Sequence, residues 1–204
     1  MSQLLDQDNQ AKTAASLLLL SPGVPFLYYG EEIGMQGDQI HEWSRRPMQW
    51  STDAYSGYST TSPWQALGPA WDSYNVESEL ADQQSLLSSY QSLIQMRNQH
   101  AALRVGDFQV LTTTSESIFS FLRVSQDEAV LVLVNLGDQP VEEVWLAKSE
   151  TNLTGGTYLC LPILGEGSFD PIEINQQGGL FHRVSSQLIQ PYSAYVLQLQ
   201  RINP

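Results

Sequence analysis

The feature that most limits how these 204 residues can fold is the run Val24-Pro25-Phe26-Leu27-Tyr28-Tyr29, set between Gly23 and Gly30 and followed by Glu31 and Glu32. It is apolar without alternation, the pattern of a strand buried on both faces in a parallel sheet flanked by helices. A helix is predicted before it, over residues 9–20, rich in Ala and Leu from Ala11 onward and broken by Ser21-Pro22-Gly23. A second helix is predicted over residues 82–99. There Leu86, Tyr90, Leu93, Ile94 and Arg97 share one face, and Asp82 offers an N-cap. Between the strand and this helix, Gly34 to about Asn75 has no periodicity and carries Trp43, Trp50, Trp64 and Trp71. A loop of that length in a compact domain usually has a function. One helix–strand unit cannot satisfy the edges of a parallel strand or cover both its faces. The first hundred residues therefore read as part of something larger.

After Gly106 the pattern changes. Residues 105–114, 118–124, 129–135, 141–147, 157–164 and 193–199 are rich in β-branched, aromatic and Leu side chains. Ser125-Gln126-Asp127, Leu136-Gly137-Asp138, Gly155-Gly156 and Gly178-Gly179 supply turn chemistry between them. Short strands at this spacing predict an antiparallel β-sandwich. The composition change puts the expected boundary near residue 104, separating 1–104 from 105–204.

Charge and cysteine content remove several functions. Nine Lys and Arg against 22 Asp and Glu give a formal charge of −13, which lacks the basic footprint a nucleic acid requires and disfavours an anionic membrane surface. With 42% hydrophobic and 10% aromatic residues the chain can build a packed core. The apolar stretch Ala14 to Leu20 is far shorter than the ~20 residues of a membrane span, and Asp6, Asp8 and Lys12 before it do not form the basic start of an export signal. Cys160 is the single cysteine, so it reads as a small buried hydrophobe. Asn152-Leu153-Thr154 fits a glycosylation sequon of a kind that also arises by chance. Asp38, His41 and Glu42 lack the spacing of a metal site, and no cofactor is expected.

Three ordered motifs carry a family resemblance. Gly23, Pro25, Tyr28, Gly30 and Glu32 fit the Gly-x-Pro-x-x-Tyr-x-Gly-x-Glu segment of the eighth barrel strand in the α-amylase family of glycoside hydrolases. Arg45-Arg46-Pro47-Met48-Gln49-Trp50 resembles the family's Arg-x-Pro-Met-Gln-Trp block. Asn75-Val76, residues 85–97 and Ala102-Leu103-Arg104-Val105-Gly106 are similar to its last barrel helix and exit. The resemblance implies an incomplete (β/α)8 barrel remnant, comprising the last strand and helices, followed by an all-β antiparallel sandwich domain.

Retaining hydrolysis of a glucosidic bond requires an attacking carboxylate and a carboxyl proton donor about 5 to 5.5 Å apart. In the family these are an Asp and a Glu on earlier strands, helped by an Asp after His. None of His41, His100 or His182 is followed by Asp. The resemblance thus places the reactive acids upstream and predicts that the chain alone is inactive. Glu31 and Glu32 stand where barrel active sites form, but adjacent strand residues face opposite ways, so no catalytic residue is assigned. Glu32 is expected to bond loop backbone and Glu31 to face polar surroundings. Arg45 matches a position near the terminal glucose pocket of some members and is the candidate substrate-binding residue; a structural ion pair is the alternative. Arg46 is expected to be solvated and Trp50 to anchor the loop. Trp43, Trp64 and Trp71 are candidates either to line a substrate cleft and stack on sugar rings or to pack the loop, and the sequence does not separate the two. The expected partners are an α-linked glucose oligosaccharide or polysaccharide for the parent enzyme and the missing N-terminal part of the barrel, with no nucleic acid and no membrane. The other readings are a non-catalytic carbohydrate-binding or structural β-sandwich module, and a chain complemented by a separate polypeptide.

Overall fold

The computed structural model describes residues 8–36, 45–184 and 188–202. It resolves into two compact units. One draws on the chain up to Ala15 together with Pro25–Ile94, and the other on Ser16–Val24 together with Gln95 onward.

In the first unit, helix α1 (Asp8–Leu20) begins as predicted. The next segment departs from expectation. Residues 24–28 carry no strand, and Tyr28–Gly34 coil into turns, leaving Phe26 85% exposed. The reason is physical: a strand exists only beside a hydrogen-bonded neighbour, and among the described residues the sheet ladders join segments from residue 107 onward. A short helix the sequence reading missed, α2 (Val76–Ala81), begins at Asn75. The Asn75 side chain accepts from the Ser78 N–H at 2.9 Å and donates to the Trp71 and Asp72 carbonyls. Asp82 closes α2 and does not open the next helix. Ser85 is the cap of α3 (Leu86–Gln99), its hydroxyl accepting from the Ser88 N–H at 3.1 Å. Along α3, Leu86, Tyr90, Leu93 and Arg97 are buried as the periodicity requires, while Ile94 is exposed and Met96 is buried.

The second unit is antiparallel β structure. After α4 (Ala101–Val105) come β1 (Asp107–Val110), β2 (Thr112–Thr113), β3 (Ile118–Val124), β4 (Ala129–Asn135), β5 (Val144–Lys148), β6 (Gly156–Leu164), β7 (Ile172–Ile174), β8 (Leu180–Val184) and β9 (Ser193–Arg201). Sequence reading missed β7 and β8, whose three and five residues give too short a pattern. The strands form one sheet, ordered β1-β3-β4-β9-β6-β7-β8-β5-β2, where two packed sheets were expected. Two irregularities curl it. Residues 107–113 pair with β3 through Val110 and with β5 from Thr112, so one stretch of chain stands at both edges. The register of β6 on β9 slips between Pro162 and Leu164, and such bulges bend a strand. Inside the curl lie Leu111, Leu122, Leu131, Leu133, Leu146, Ile172, Tyr195 and Leu197.

All seven residues of β4 are buried, which explains why its sequence does not alternate. Two buried guanidiniums of this unit, Arg97 and Arg123, reach backbone carbonyls. Arg123, 1% exposed, donates to Leu20 O at 2.9 Å and to Gly106 O. Arg97 donates to Leu19 O, Ser21 O and Gly23 O at 2.5, 2.9 and 2.5 Å, placing a cation at the negative end of α1. Burial lowers the pKa of both arginines. Cys160 is buried, and that burial, reinforced by Asp170, pushes its thiol up to about 12. It behaves as an inert hydrophobe.

Candidate functional site

The first unit carries a cleft of about 390 Å³ lined by Tyr29, Glu32, Arg45, Arg46, Pro47, Met48, Trp50, Tyr58 and Trp64. Its first wall is the turn 28–35. Tyr28 O accepts from the Glu31 N–H at 3.1 Å, Glu31 O from Gly34 at 3.1 Å, and Gly30 O from Met35 at 2.8 Å. Gly30 sits at φ +82°, and a Cβ there would collide with the Met35 side chain, so both conformation and space demand glycine. The Glu31 carboxylate accepts from the Tyr28 N–H at 3.0 Å. The two glutamates therefore exchange the roles expected of them: Glu31 bonds the loop backbone and Glu32 lines the cleft.

The second wall is the Arg45–Trp50 block. The Tyr29 hydroxyl donates to Arg46 O at 2.9 Å, tying the first motif to the second. Arg46 is not a solvated side chain: its Nη1 donates to Leu67 O at 2.5 Å and fastens the long loop. Gln49 is fully buried and donates to Tyr74 O at 2.6 Å. Its carbonyl and that of Trp50 accept from the Val76 and Glu77 N–H groups at 3.0 Å, so the block rests on the start of α2. The Trp50 backbone is the anchor; its side chain lines the cleft and is 51% exposed.

Beside Trp50 the backbone is strained. Tyr55, Ser56 and Gly57 stand at φ 54°, 58° and 64°, left-handed values that cost non-glycine residues of the order of 1–3 kcal/mol each. The surroundings hold them there: Ser56 O accepts from both Trp50 and Ser51 N–H groups, Ser56 N donates to Asp53 O, and the buried Ser56 hydroxyl donates to Ser51 O. This distorted loop delivers Tyr58 to the cleft. Sequence reasoning missed Tyr29 and Tyr58. Tyr29 lay within the quoted motif, while nothing around Tyr58 signalled its place.

The structure thus brings Glu32, Arg45, Pro47, Met48, Trp50 and Trp64 together. Gly23, Pro25, Tyr28, Gly30 and Gln49 do not line the cleft, and Trp71 lies outside its lining. Asp38, His41, Glu42 and Trp43 fall outside the described residues. Desolvation raises the Tyr29 pKa, with Tyr28 adding to the effect and Arg45 opposing it, so the phenol is a neutral donor at physiological pH. Nearby on α3, burial reinforced by Glu31 and Glu32 pushes Tyr90 up to about 12. Among the described lining residues Glu32 is the one carboxylate and Arg45 and Arg46 are the cations, surrounded by four aromatic rings. Flat rings with a few fixed polar groups suit a neutral polyol, whose C–H faces stack and whose hydroxyls hydrogen-bond.

Comparison with known proteins gives this chemistry a family. The family described as "Alpha amylase, catalytic domain" matches residues 2–106. The trehalose synthase/amylase of Mycobacterium tuberculosis is 36% identical over 186 residues, covering 81% of this chain and 30% of that protein. A glucan 1,6-α-glucosidase from Streptococcus pneumoniae is 30% identical over 169 residues, covering 65% of this chain and 31% of its own. Among solved structures, an isomaltulose synthase variant from Erwinia rhapontici, in complex with its natural substrate sucrose, superimposes with a TM-score of 0.68. That match is at 20% identity and covers 95% of this chain and 38% of that one. The chain belongs to the α-amylase family. It spans about a third of the length of the relatives it matches.

Proposed function

We propose that these residues form the C-terminal portion of a retaining enzyme acting on α-glucans or α-glucosides. Residues 1–104 are the end of its catalytic (β/α)8 barrel and residues 105–204 the β domain that follows. The nucleophile, the proton donor and the stabilising acid stand on earlier parts of the barrel, and the 204 residues alone do not turn over substrate. The observation that carries this reading is the match of the catalytic-domain family to residues 2–106 in a chain spanning about a third of its relatives. The cleft supports it as well, since Glu32 is the one carboxylate among its described lining residues, where retaining chemistry needs two.

Each part then has a role. The segment 24–29 becomes the closing barrel strand once strands lie on either side, which accounts for its exposed apolar side chains. The cleft supplies one wall of the active site. There Trp50, Tyr58 and Trp64 pack against pyranose faces, and Arg45 donates to sugar hydroxyls or pairs with a carboxylate brought by the rest of the barrel. The substrate is an α-linked glucose oligosaccharide or polysaccharide, as the names of the glucosidase and amylase relatives suggest. Incubating the isolated chain with maltooligosaccharides, trehalose, isomaltose and sucrose tests the reading. No release of reducing sugar, glucose or isomerised product above buffer is expected, and turnover by the chain alone would overturn it.

A further inference from the structure

On the outer face of the curled sheet, Trp145 of β5 and Phe181 of β8 stack with ring centroids 4.7 Å apart and planes 24° from parallel. Burial alternates along β8: Leu180 and Val184 are buried, while Phe181 is 69% exposed and Arg183 is exposed. A phenyl ring that open contributes little to the core, so its contact is the stack on Trp145, which leaves most of the residue open to solvent. The register places Arg183 directly opposite Trp145 and Ala147 opposite Phe181, with Thr112 of β2 opposite Ala147 on the other side. The rim is polar and neutralised. Arg183 Nη2 donates to Glu143 Oε2 at 2.6 Å, and Trp145 Nε1 donates to Glu143 Oε1 at 3.1 Å. Both ion-pair side chains are about half exposed, at 49% and 45%.

We infer that this aromatic pair and its Arg183–Glu143 rim form a second carbohydrate site, which holds a segment of α-glucan by stacking a pyranose face on the exposed Phe181 ring. The polymeric character of the ligand rests on the function proposed above. Three observations favour a neutral sugar chain over other occupants. The cation at the rim is already paired, so an anionic ligand meets no unsatisfied charge, and the chain's formal −13 repels polyanions. By register the outer-face neighbours of Phe181 are Ala147, Trp145 and Arg183, with Thr112 beyond, a mixed polar surface unlike the apolar centre of a stable protein interface. The half-exposed guanidinium and carboxylate offer donors and acceptors beside the ring, as sugar hydroxyls require.

Affinity electrophoresis of the full chain in native gels containing soluble starch, with maltoheptaose titration by calorimetry, tests the site. The unmodified chain is retarded. Phe181→Ala weakens binding about tenfold, a loss of about 1.4 kcal/mol. Phe181→Tyr, which keeps the ring, binds like the unmodified chain. Far-UV circular dichroism establishes that each variant is folded. Starch retention unchanged in folded Phe181→Ala would overturn the inference, as would an unmodified chain that runs freely through starch. Retention that vanishes in Trp64→Ala and survives in Phe181→Ala would overturn it while leaving the cleft as a glucan site.

Discussion

Replacing Arg97 by Met tests how the second unit is held together. The guanidinium donates to three carbonyls at the C-terminal end of α1, and their surroundings differ. Leu19 is 1% exposed, so its carbonyl keeps no water when the donor is lost, and an orphaned buried acceptor costs about 1–3 kcal/mol. Ser21 is half-buried and Gly23 exposed, so water replaces the donor there at small cost. Removing a cation from the helix end adds about 0.3–1 kcal/mol. Against these losses, the variant no longer buries a charge, whose desolvation already lowers the Arg97 pKa. Met fills most of the volume, so the cavity term is small. The balance is a destabilisation of about 2–3 kcal/mol, which for a chain of this size lowers Tm by about 4–12 °C. Urea and thermal unfolding followed by far-UV circular dichroism measure it. Arg97→Lys, one ammonium in place of a fork, is expected to recover part of the loss. A loss below about 0.5 kcal/mol in Arg97→Met would refute the claim that these bonds fasten the end of α1.

Other expectations follow from single contacts. Gly30→Ala forces a side chain into a left-handed position and against Met35, so it is expected to cost about 1–2 kcal/mol and to quench the spectral signature of the aromatic cleft, read by near-UV circular dichroism. Glu128 accepts from His100 Nδ1, from the Ala102 N–H at 3.0 Å and from Gln198, so Glu128→Ala removes the side-chain cap of α4 and should cost about 1–2 kcal/mol in urea unfolding. Burial lowers the pKa of His182 below its usual 6.5, with Asp170 opposing the shift. The unfolded chain therefore takes up this proton at a higher pH than the folded one. The contribution to stability is full above pH 6.5 and declines as pH falls below it, toward the depressed folded value. His182→Gln should flatten the stability curve in that window, and an unchanged slope would show that His182 does not titrate differently in the two states.

How far the sequence could be read depended on what each element needs to exist. The β3 and β4 boundaries were legible to the residue, because Ile118–Val124 and Ala129–Asn135 pair with each other across a short turn. Helix α1 was legible because its breaker follows it directly. The strand expected at 24–29 was a statement about neighbours, and without neighbours in the described residues its apolar side chains lie exposed. The curl of the sheet rests on the partner switch between Val110 and Thr112 and the slip in β6, neither of which leaves a mark in local composition. Within the site, motif matching singled out Arg45 and Trp50 and the glutamate pair. It could not tell that Glu31 turns back to Tyr28, nor that three left-handed residues bring Tyr58 to the cleft.

Joining the chain in frame behind the part of the Mycobacterium tuberculosis trehalose synthase/amylase that precedes the matched region, and assaying α-glucoside turnover beside the chain alone, tests the central claim most directly. The account predicts no turnover by the chain alone and measurable turnover by the fusion, abolished when a catalytic carboxylate of the donor segment is replaced. Turnover by the chain alone, or a folded fusion that stays inert, would contradict it.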